Sequence, residues 1–336
     1  MARACALSRL AIDAALALLL LLAPLAASGQ QPPRSPSADR LLAAVVGLRA
    51  SVPADARTAD TLGTEREGSG IVIDASGLIV TIGYLILEAS RVEVRVGEAR
   101  AVPAEILAYD HETGFGLLRA SAPVDVTPMR LGTSANIGEG DRLLVSGFGG
   151  PLAARGAVVV SRRDFVGYWE YLLERAIFTA PPYPLFGGAA LIDGQGELVG
   201  IGSLVVADAY EGEQPLPGNM FVPVDRLKEV LADLLTSGRS SKPPRPWLGI
   251  YASEIDGLVM VRRLASDGPA ANAGVQPGDV IIGVAGRPVT SMADFYRKLW
   301  AAAKPGDRVP LTILKGADIE ELEVTAGDRY RWLRLP

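Results

Sequence analysis

Histidine and cysteine do much of the chemistry that proteins perform near neutral pH, and this chain has one of each, His111 and Cys5. Acyl transfer needs a hydroxyl or thiol to attack, a base to take its proton, and a group to orient that base. His111 is the one imidazole that could serve as base. Its neighbours Asp110 and Glu112 mark it instead as a surface loop histidine. The hydroxyls nearest the glycine pair Gly187-Gly188 are Tyr183 and the more distant Thr179. Ser69, Ser146 and Ser203 fall in framework strands or turns and read as structural. Asp110 with Glu112, and Asp193 with Glu197, have the residue types of a glycosidase pair, which also needs a fixed separation and a sugar cleft. Solvated turn charges explain them better. "GFGGP" lacks the spacing and the Lys-Ser/Thr of a phosphate loop. Tyr168, Trp169 and Tyr171 cluster in "YWEYLLER", as a binding patch or, more simply, as packing. One histidine and a lone cysteine at position 5 exclude the usual zinc sets, so neither metal nor cofactor is expected.

The elements that would position these groups are mostly strands. Thirty-seven glycines and twenty-four prolines suit a loop-rich β chain rather than a helical one. "GSGIVIDASGLIVTIGYLI" sets two apolar runs around an Asp-Ala-Ser-Gly turn, a hairpin signal. "RVEVRVG" alternates strictly and predicts a half-exposed strand. "RLLVSGFG", "GAVVVS" and "ELVGIGSLVV" add further strands, and the repetition argues for a barrel or sandwich. Leu227, Val230, Leu231, Leu234 and Leu235 then fall at helical spacing, with Gly238 as a C-terminal cap. "SGRSSKPPRP" reads as a linker. A second small domain follows from Trp247, with Ser291 and Asp294 as a capping signature ahead of Phe295 and Leu299.

The N-terminus reads as an export signal. Arg3 and Arg9 precede the apolar run "AALALLLLLAPLAAS", with cleavage expected near Ala27 to Gly29. The alternative is an inner-membrane anchor through residues 11–28, although that run is shorter than the roughly twenty residues a span needs. A secreted chain without disulfides leans toward a bacterial periplasm. The net charge of −5 gives no general attraction to nucleic acid. The expected layout is a signal at 1–29, a linker at 30–40, a strand-rich domain at 41–237, a linker at 238–246, a second domain at 247–327 and a tail at 328–336.

At these residues the chain resembles the HtrA (Deg) family of bacterial envelope proteases. "WLGI", "PAANAGVQPGDVIIGVAGRPV", "KPGDRVPLTILKG" and "EELEV" follow its PDZ pattern. "GSGIVIDASGLIVT", "YDHETGFGLLR", "IGEGDRLLVSGFGGP", "FGGAALIDGQGELVGIGS" and "FVPVDRLKEVLADLL" follow its protease framework in order and spacing. The resemblance implies a mainly β fold, a chymotrypsin/trypsin-like double β-barrel followed by a PDZ domain. It also places the triad positions at Tyr84, Gly114 and Phe186 in this chain. Phenylalanine has no lone pair to attack with, tyrosine titrates near ~10 and is a poor base, and glycine has no side chain to orient one. The family's oxyanion donor two residues before the nucleophile falls on Pro184, which carries no N–H.

These replacements lead to the expectation of an exported pseudoprotease without enzymatic activity. It would bind polypeptides or C-terminal peptides as a scaffold, regulator or chaperone-like factor in envelope quality control. The resemblance implies that the peptide-binding residues are Trp247, Leu248, Gly249 and Ile250, whose backbone N–H groups would form the carboxylate nest, with Phe295 and Leu299 bordering the side-chain pocket. Active HtrA relatives and a homo-oligomer are implied as further partners, although "SADRLLAAVVGLRA" shows no clear aromatic clasp for oligomerisation. The alternatives are an active serine endopeptidase with a rearranged site and a structural subunit of an envelope complex.

Overall fold

A computed structural model describes residues 36–97 and 100–335 of the chain. The signal and the alternative anchor therefore lie outside the described residues. No helix among the described residues is long and apolar enough to cross a membrane.

Alternation in the sequence becomes alternation across a barrel wall. In Arg91–Val96 the side chains of Val92 and Val94 are buried while Arg91 and Arg95 face out, the half-exposed strand that the pattern predicts. The first barrel comprises β1 (Val45–Ser51), β2 (Glu65–Val72), β3 (Leu78–Ile82), β4 (Arg91–Val96), β5 (Arg100–Tyr109) and β6 (Phe115–Ala120). It closes in the order β1-β2-β3-β6-β5-β4. The second comprises β7 (Arg142–Ser146), β8 (Ala154–Gly167), β9 (Tyr171–Ala180), β10 (Ala190–Ile192), β11 (Leu198–Tyr210) and β12 (Leu216–Pro223), closed as β10-β11-β12-β9-β8-β7. Closure leaves neither barrel a free edge.

The barrels touch where glycine lets backbone meet backbone. The Ser69 N–H donates to the Gly187 carbonyl at 2.8 Å. Gly188, at φ +73°, sits so close that a Cβ there would overlap the Ser69 carbonyl oxygen. Two short helices, α1 (Pro36–Leu42) and α2 (Ala59–Leu62), accompany the first barrel, and α3 (Val224–Ser237) follows the second. Leu227, Val230 and Leu234 bury the inner face of α3, and left-handed Gly238 caps it by donating to the Leu234 carbonyl. Leu235 departs from the expected stripe and is 43% exposed, because it falls just outside the arc that meets the barrel.

The remaining sheet is β13 (Ile250–Ile255), β14 (Leu258–Leu264), β15 (Val280–Val284), β16 (Arg287–Pro288), β17 (Arg308–Lys315) and β18 (Asp318–Thr325). Its order is β13-β14-β15-β17-β18, with β16 paired to β15. Helices α4 (Pro269–Asn272) and α5 (Met292–Ala302) accompany it. Ser291 Oγ caps α5 by accepting the Asp294 N–H at 3.0 Å, and the Asp294 carboxylate reaches back to the Thr290 N–H. Strand β13 is an edge of this sheet, and among the described residues no further strand pairs with its outer side.

The last residues fasten this sheet to the barrels. Helix α6 (Arg329–Trp332) brings Trp332 to 4.8 Å from the Trp247 ring, and Leu333 is buried. The Arg334 N–H donates to buried Glu88 of the first barrel at 2.8 Å. Tyr330 Oη accepts the His111 N–H at 2.9 Å.

Candidate functional site

Tyr84, Gly114 and Phe186 line one cavity of about 330 Å³ between the barrels. Tyr84 follows β3, Gly114 precedes β6, and Phe186 lies in the loop before β10, so both barrels contribute. The turn carrying Tyr84 is fixed from below by Arg66 on β2. That buried guanidinium donates to the carbonyls of Tyr84 and Leu87, both at 2.8 Å. Tyr84 Oη donates to the Ser203 carbonyl at 2.9 Å, and burial holds this hydroxyl well above its ordinary range. Gly114 adopts φ +83°, and a Cβ there would meet the Tyr171 hydroxyl at 3.3 Å. Tyr171 thus fills the space beside Gly114 and donates to the Thr113 carbonyl at 2.9 Å. Phe186 is half-buried, and Pro184 stands exposed two residues before it.

His111 lines the same cavity but is not the surface residue that its charged neighbours suggest. It is half-buried, and Arg329 Nη1 lies 3.2 Å from its Nε2. Burial and the guanidinium groups of Arg329 and Arg245 hold the imidazole well below its usual range, so it is neutral at pH 7. An arginine can only donate, so the Nε2 lone pair is engaged. Among the described residues no hydroxyl hydrogen-bonds to its ring. Asp110 is likewise not a solvated turn charge. It is buried and accepts from Thr113 N–H, Thr113 Oγ1 and Tyr330 Oη. Asp193 does cap its own turn, accepting from the Gln195 and Glu197 N–H groups at 2.9 Å.

Three of the other hydroxyls weighed from sequence, those of Tyr183, Ser69 and Ser146, hold structure. Tyr183 Oη accepts from Gly147 N–H at 2.7 Å and donates to the Ala153 carbonyl at 2.6 Å. Ser69 Oγ accepts the Phe148 N–H, and Ser146 Oγ donates to the Gly147 carbonyl. Thr179 is fully buried. Ser203 is different, because it lines the cavity.

The second group of site residues lies at the start of the C-terminal sheet. Gly249, at φ +81°, bends the loop so that successive N–H groups face one point. That point is occupied by the Glu170 carboxylate, from the turn between β8 and β9. Leu248 N–H lies 3.0 Å from Glu170 Oε2, and Ile250 N–H lies 2.8 Å from Oε1. Glu170 is only 2% exposed, and burial raises its pKa from the ordinary 4.5 to about 7 against the pull of these N–H groups and Arg329. Phe295 and Leu299 are fully buried beside Leu248 and Ile250, and the same cluster takes in Leu172 from β9. Trp247 pairs instead with Gly327 and contributes no N–H to the loop.

Sequence reasoning missed Glu170, Arg329 and Tyr330. Nothing local marks Glu170, whose partners lie 78 and 80 positions away. Asp328 was a readable signal, because its carboxylate accepts the Tyr330 N–H as an N-cap for the helix in the supposed tail.

The trypsin-like peptidase domain family matches residues 68–201, and the PDZ domain family matches residues 246–326. A "Probable periplasmic serine endoprotease DegP-like" of Pseudomonas fulva strain 12-X is 28% identical over 298 residues, covering 82% of this chain and 60% of the relative. Its counterpart in Pseudomonas fluorescens is 28% identical over 315 residues, with 89% and 60% covered. "Serine endoprotease DegS" of Escherichia coli K12 is 26% identical over 276 residues, with 77% and 76% covered. The chain thus spans about 60% of the length of the DegP-like relatives. Among solved structures, "HtrA-type protease AlgW with decapeptide" shares the fold with a TM-score of 0.51 at 22% identity, covering 88% of this chain and 97% of that one. A serine endoprotease from Yersinia pestis shares it with a TM-score of 0.50 at 23% identity, covering 89% and 99%.

These relatives correct one expectation. The side chains at 84, 114 and 186 led to a protein without enzymatic activity, yet the curated relatives that share its framework are named serine endoproteases. The physical reason for the correction is that tyrosine, glycine and phenylalanine at these positions rule out only one arrangement of nucleophile, base and orienter. They do not rule out every arrangement that a cleft lined by Ser203 and His111 could hold.

Proposed function

We propose that this chain, whose two domains match the trypsin-like peptidase and PDZ families and whose framework is similar to that of DegP-like relatives, handles polypeptides in the bacterial periplasm. The PDZ domain would capture them and the barrel cleft would receive them. One observation carries this reading. The N–H groups of Leu248 and Ile250 converge on a single carboxylate, so the loop is built to hold one. Beside it lie the edge strand β13 and the apolar floor of Phe295 and Leu299. Capture alone would suffice for a scaffold, regulator or chaperone-like factor.

The relatives' names favour a further step, endopeptidase cleavage from a rearranged site. In that reading the attacking group is not at position 186, since a phenyl ring offers no lone pair. Ser203 is the serine on the cavity wall, and His111 is the imidazole. Movement of Arg329 away from Nε2 would free a lone pair to act as base.

The test incubates the mature full-length protein with unfolded casein and, separately, with a fluorophosphonate probe. Endopeptidase action predicts casein fragments, a probe adduct that maps to a cavity-wall serine, and loss of both in His111→Ala. Casein that stays whole but co-purifies with the protein would leave capture as the function. Casein neither cut nor retained would contradict polypeptide handling.

A further inference from the structure

The turn between β8 and β9 does to the PDZ domain what a bound peptide would do, in three separate respects. The Glu170 carboxylate lies in the loop of Leu248–Ile250 and takes its converging N–H groups. The Tyr168 carbonyl accepts the Ala252 N–H at 2.9 Å, a bond to the otherwise open edge of β13. Leu172 joins Phe295 and Leu299 in the apolar cluster of the domain. Charge, strand pairing and an apolar anchor are the three means by which such grooves hold extended peptides.

The turn is also shaped for the purpose. Glu170 adopts φ +57°, a left-handed conformation that a non-glycine residue holds only where its surroundings compensate. Its own N–H donates to Tyr296 Oη at 3.2 Å, and Tyr296 Oη donates to the Gly167 carbonyl at 3.0 Å. A tyrosine of α5 therefore ties both sides of the turn. A buried carboxylate is costly unless fully hydrogen-bonded, and here the PDZ loop supplies the bonds.

We propose that Gly167–Leu172 is an internal ligand of the PDZ groove, with Glu170 standing where a peptide's terminal carboxylate would sit, so that peptide binding requires this turn to leave. The inference rests on the peptide-capture reading and adds its regulation. Release would reach the cleft as well. Tyr171, next to Glu170, fills the space at Gly114, and Tyr168 and Trp169 line the cavity with it. Arg329, which meets His111 Nε2, also donates to the Trp169 carbonyl at 3.0 Å. A peptide in the groove would thus loosen the aromatic wall of the cleft and the contact that engages the imidazole.

The experiment uses the mature full-length protein, wild type and Glu170→Ala, with Glu170→Gln as a near-isosteric second variant that keeps the packing. The probe is a fluorescent pool of random peptides with free C-terminal carboxylates, and the same pool C-terminally amidated is the control. The expected result is at least tenfold tighter binding of the carboxylate pool by Glu170→Ala than by wild type, a smaller gain in Glu170→Gln, and no gain for the amidated pool. Equal binding by all three proteins would overturn the internal ligand while leaving peptide capture intact. No binding by any of them, with thermal unfolding showing all three folded, would overturn capture itself and the regulation with it.

Discussion

The barrel cleft and the PDZ loop hold their chemistry in different currencies. The cleft depends on side chains, and positions 84, 114 and 186 carry tyrosine, glycine and phenylalanine on the wall of one cavity. The loop depends on backbone N–H groups, and those of Leu248 and Ile250 still converge on a carboxylate. A side-chain site changes with every substitution at its few positions. A backbone site survives as long as the turn does, and here the turn needs only Gly249 at positive φ. The two regions meet at one short segment, since Glu170 enters the loop and Tyr171 enters the cleft.

Five changes would break or sharpen this contrast. The largest effect is expected from Gly188→Ala. Positive φ and the overlap with the Ser69 carbonyl should cost about 4 kcal/mol or more and separate the barrels, read as lost soluble expression or a greatly lowered Tm. Glu170→Ala leaves buried N–H groups of the PDZ loop unpaired and should cost about 3 kcal/mol in chemical denaturation, without disturbing the barrel folds.

Acidity comes next. The folded pKa of Glu170 is raised from 4.5 to about 7, so its contribution is fully present below pH 4.5 and fades as pH rises through 7. The charged and titratable groups facing it are Arg329 from α6 and Tyr296 from α5. The docked turn should therefore be weaker at pH 8 than at pH 5 by about 2 kcal/mol, read as faster amide exchange at Leu248 and Ile250 after correction for intrinsic rates. That difference should vanish in Glu170→Gln. Tyr296→Phe removes the hydroxyl that bridges Gly167 and Glu170 and should cost about 1 kcal/mol. The smallest effect is on chemistry. Phe186→Ala should change any casein turnover by no more than about twofold, because position 186 has no attacking atom to lose.

Local pattern made much of this architecture readable. Alternation in Arg91–Val96 gave a strand with Val92 and Val94 inward. Ser291 and Asp294 marked the start of α5, and Gly238 the end of α3. The three cleft positions could be named because the resemblance to the HtrA family aligns them, and they do share one cavity. What stayed hidden was long-range or compensated charge. Asp110 and His111 look solvent-facing in sequence, but Thr113, Tyr330 and Arg329 supply the partners that let them sit inside. Glu170 lies in an aromatic segment whose partners come from another part of the chain. Whether the cleft cleaves peptides was not legible from the residue types at 84, 114 and 186, because the relatives that share the framework are named serine endoproteases.

The most direct test follows residue-resolved amide exchange in the full-length protein while the carboxylate-terminated peptide pool is raised to saturation. The account predicts that Leu248 and Ile250 stay protected throughout, as one carboxylate replaces another. Protection at Glu170 should fall at the same time, as its N–H leaves Tyr296. Undiminished protection at Glu170 with peptide bound would contradict it, for the groove would then accept its ligand without giving up the turn.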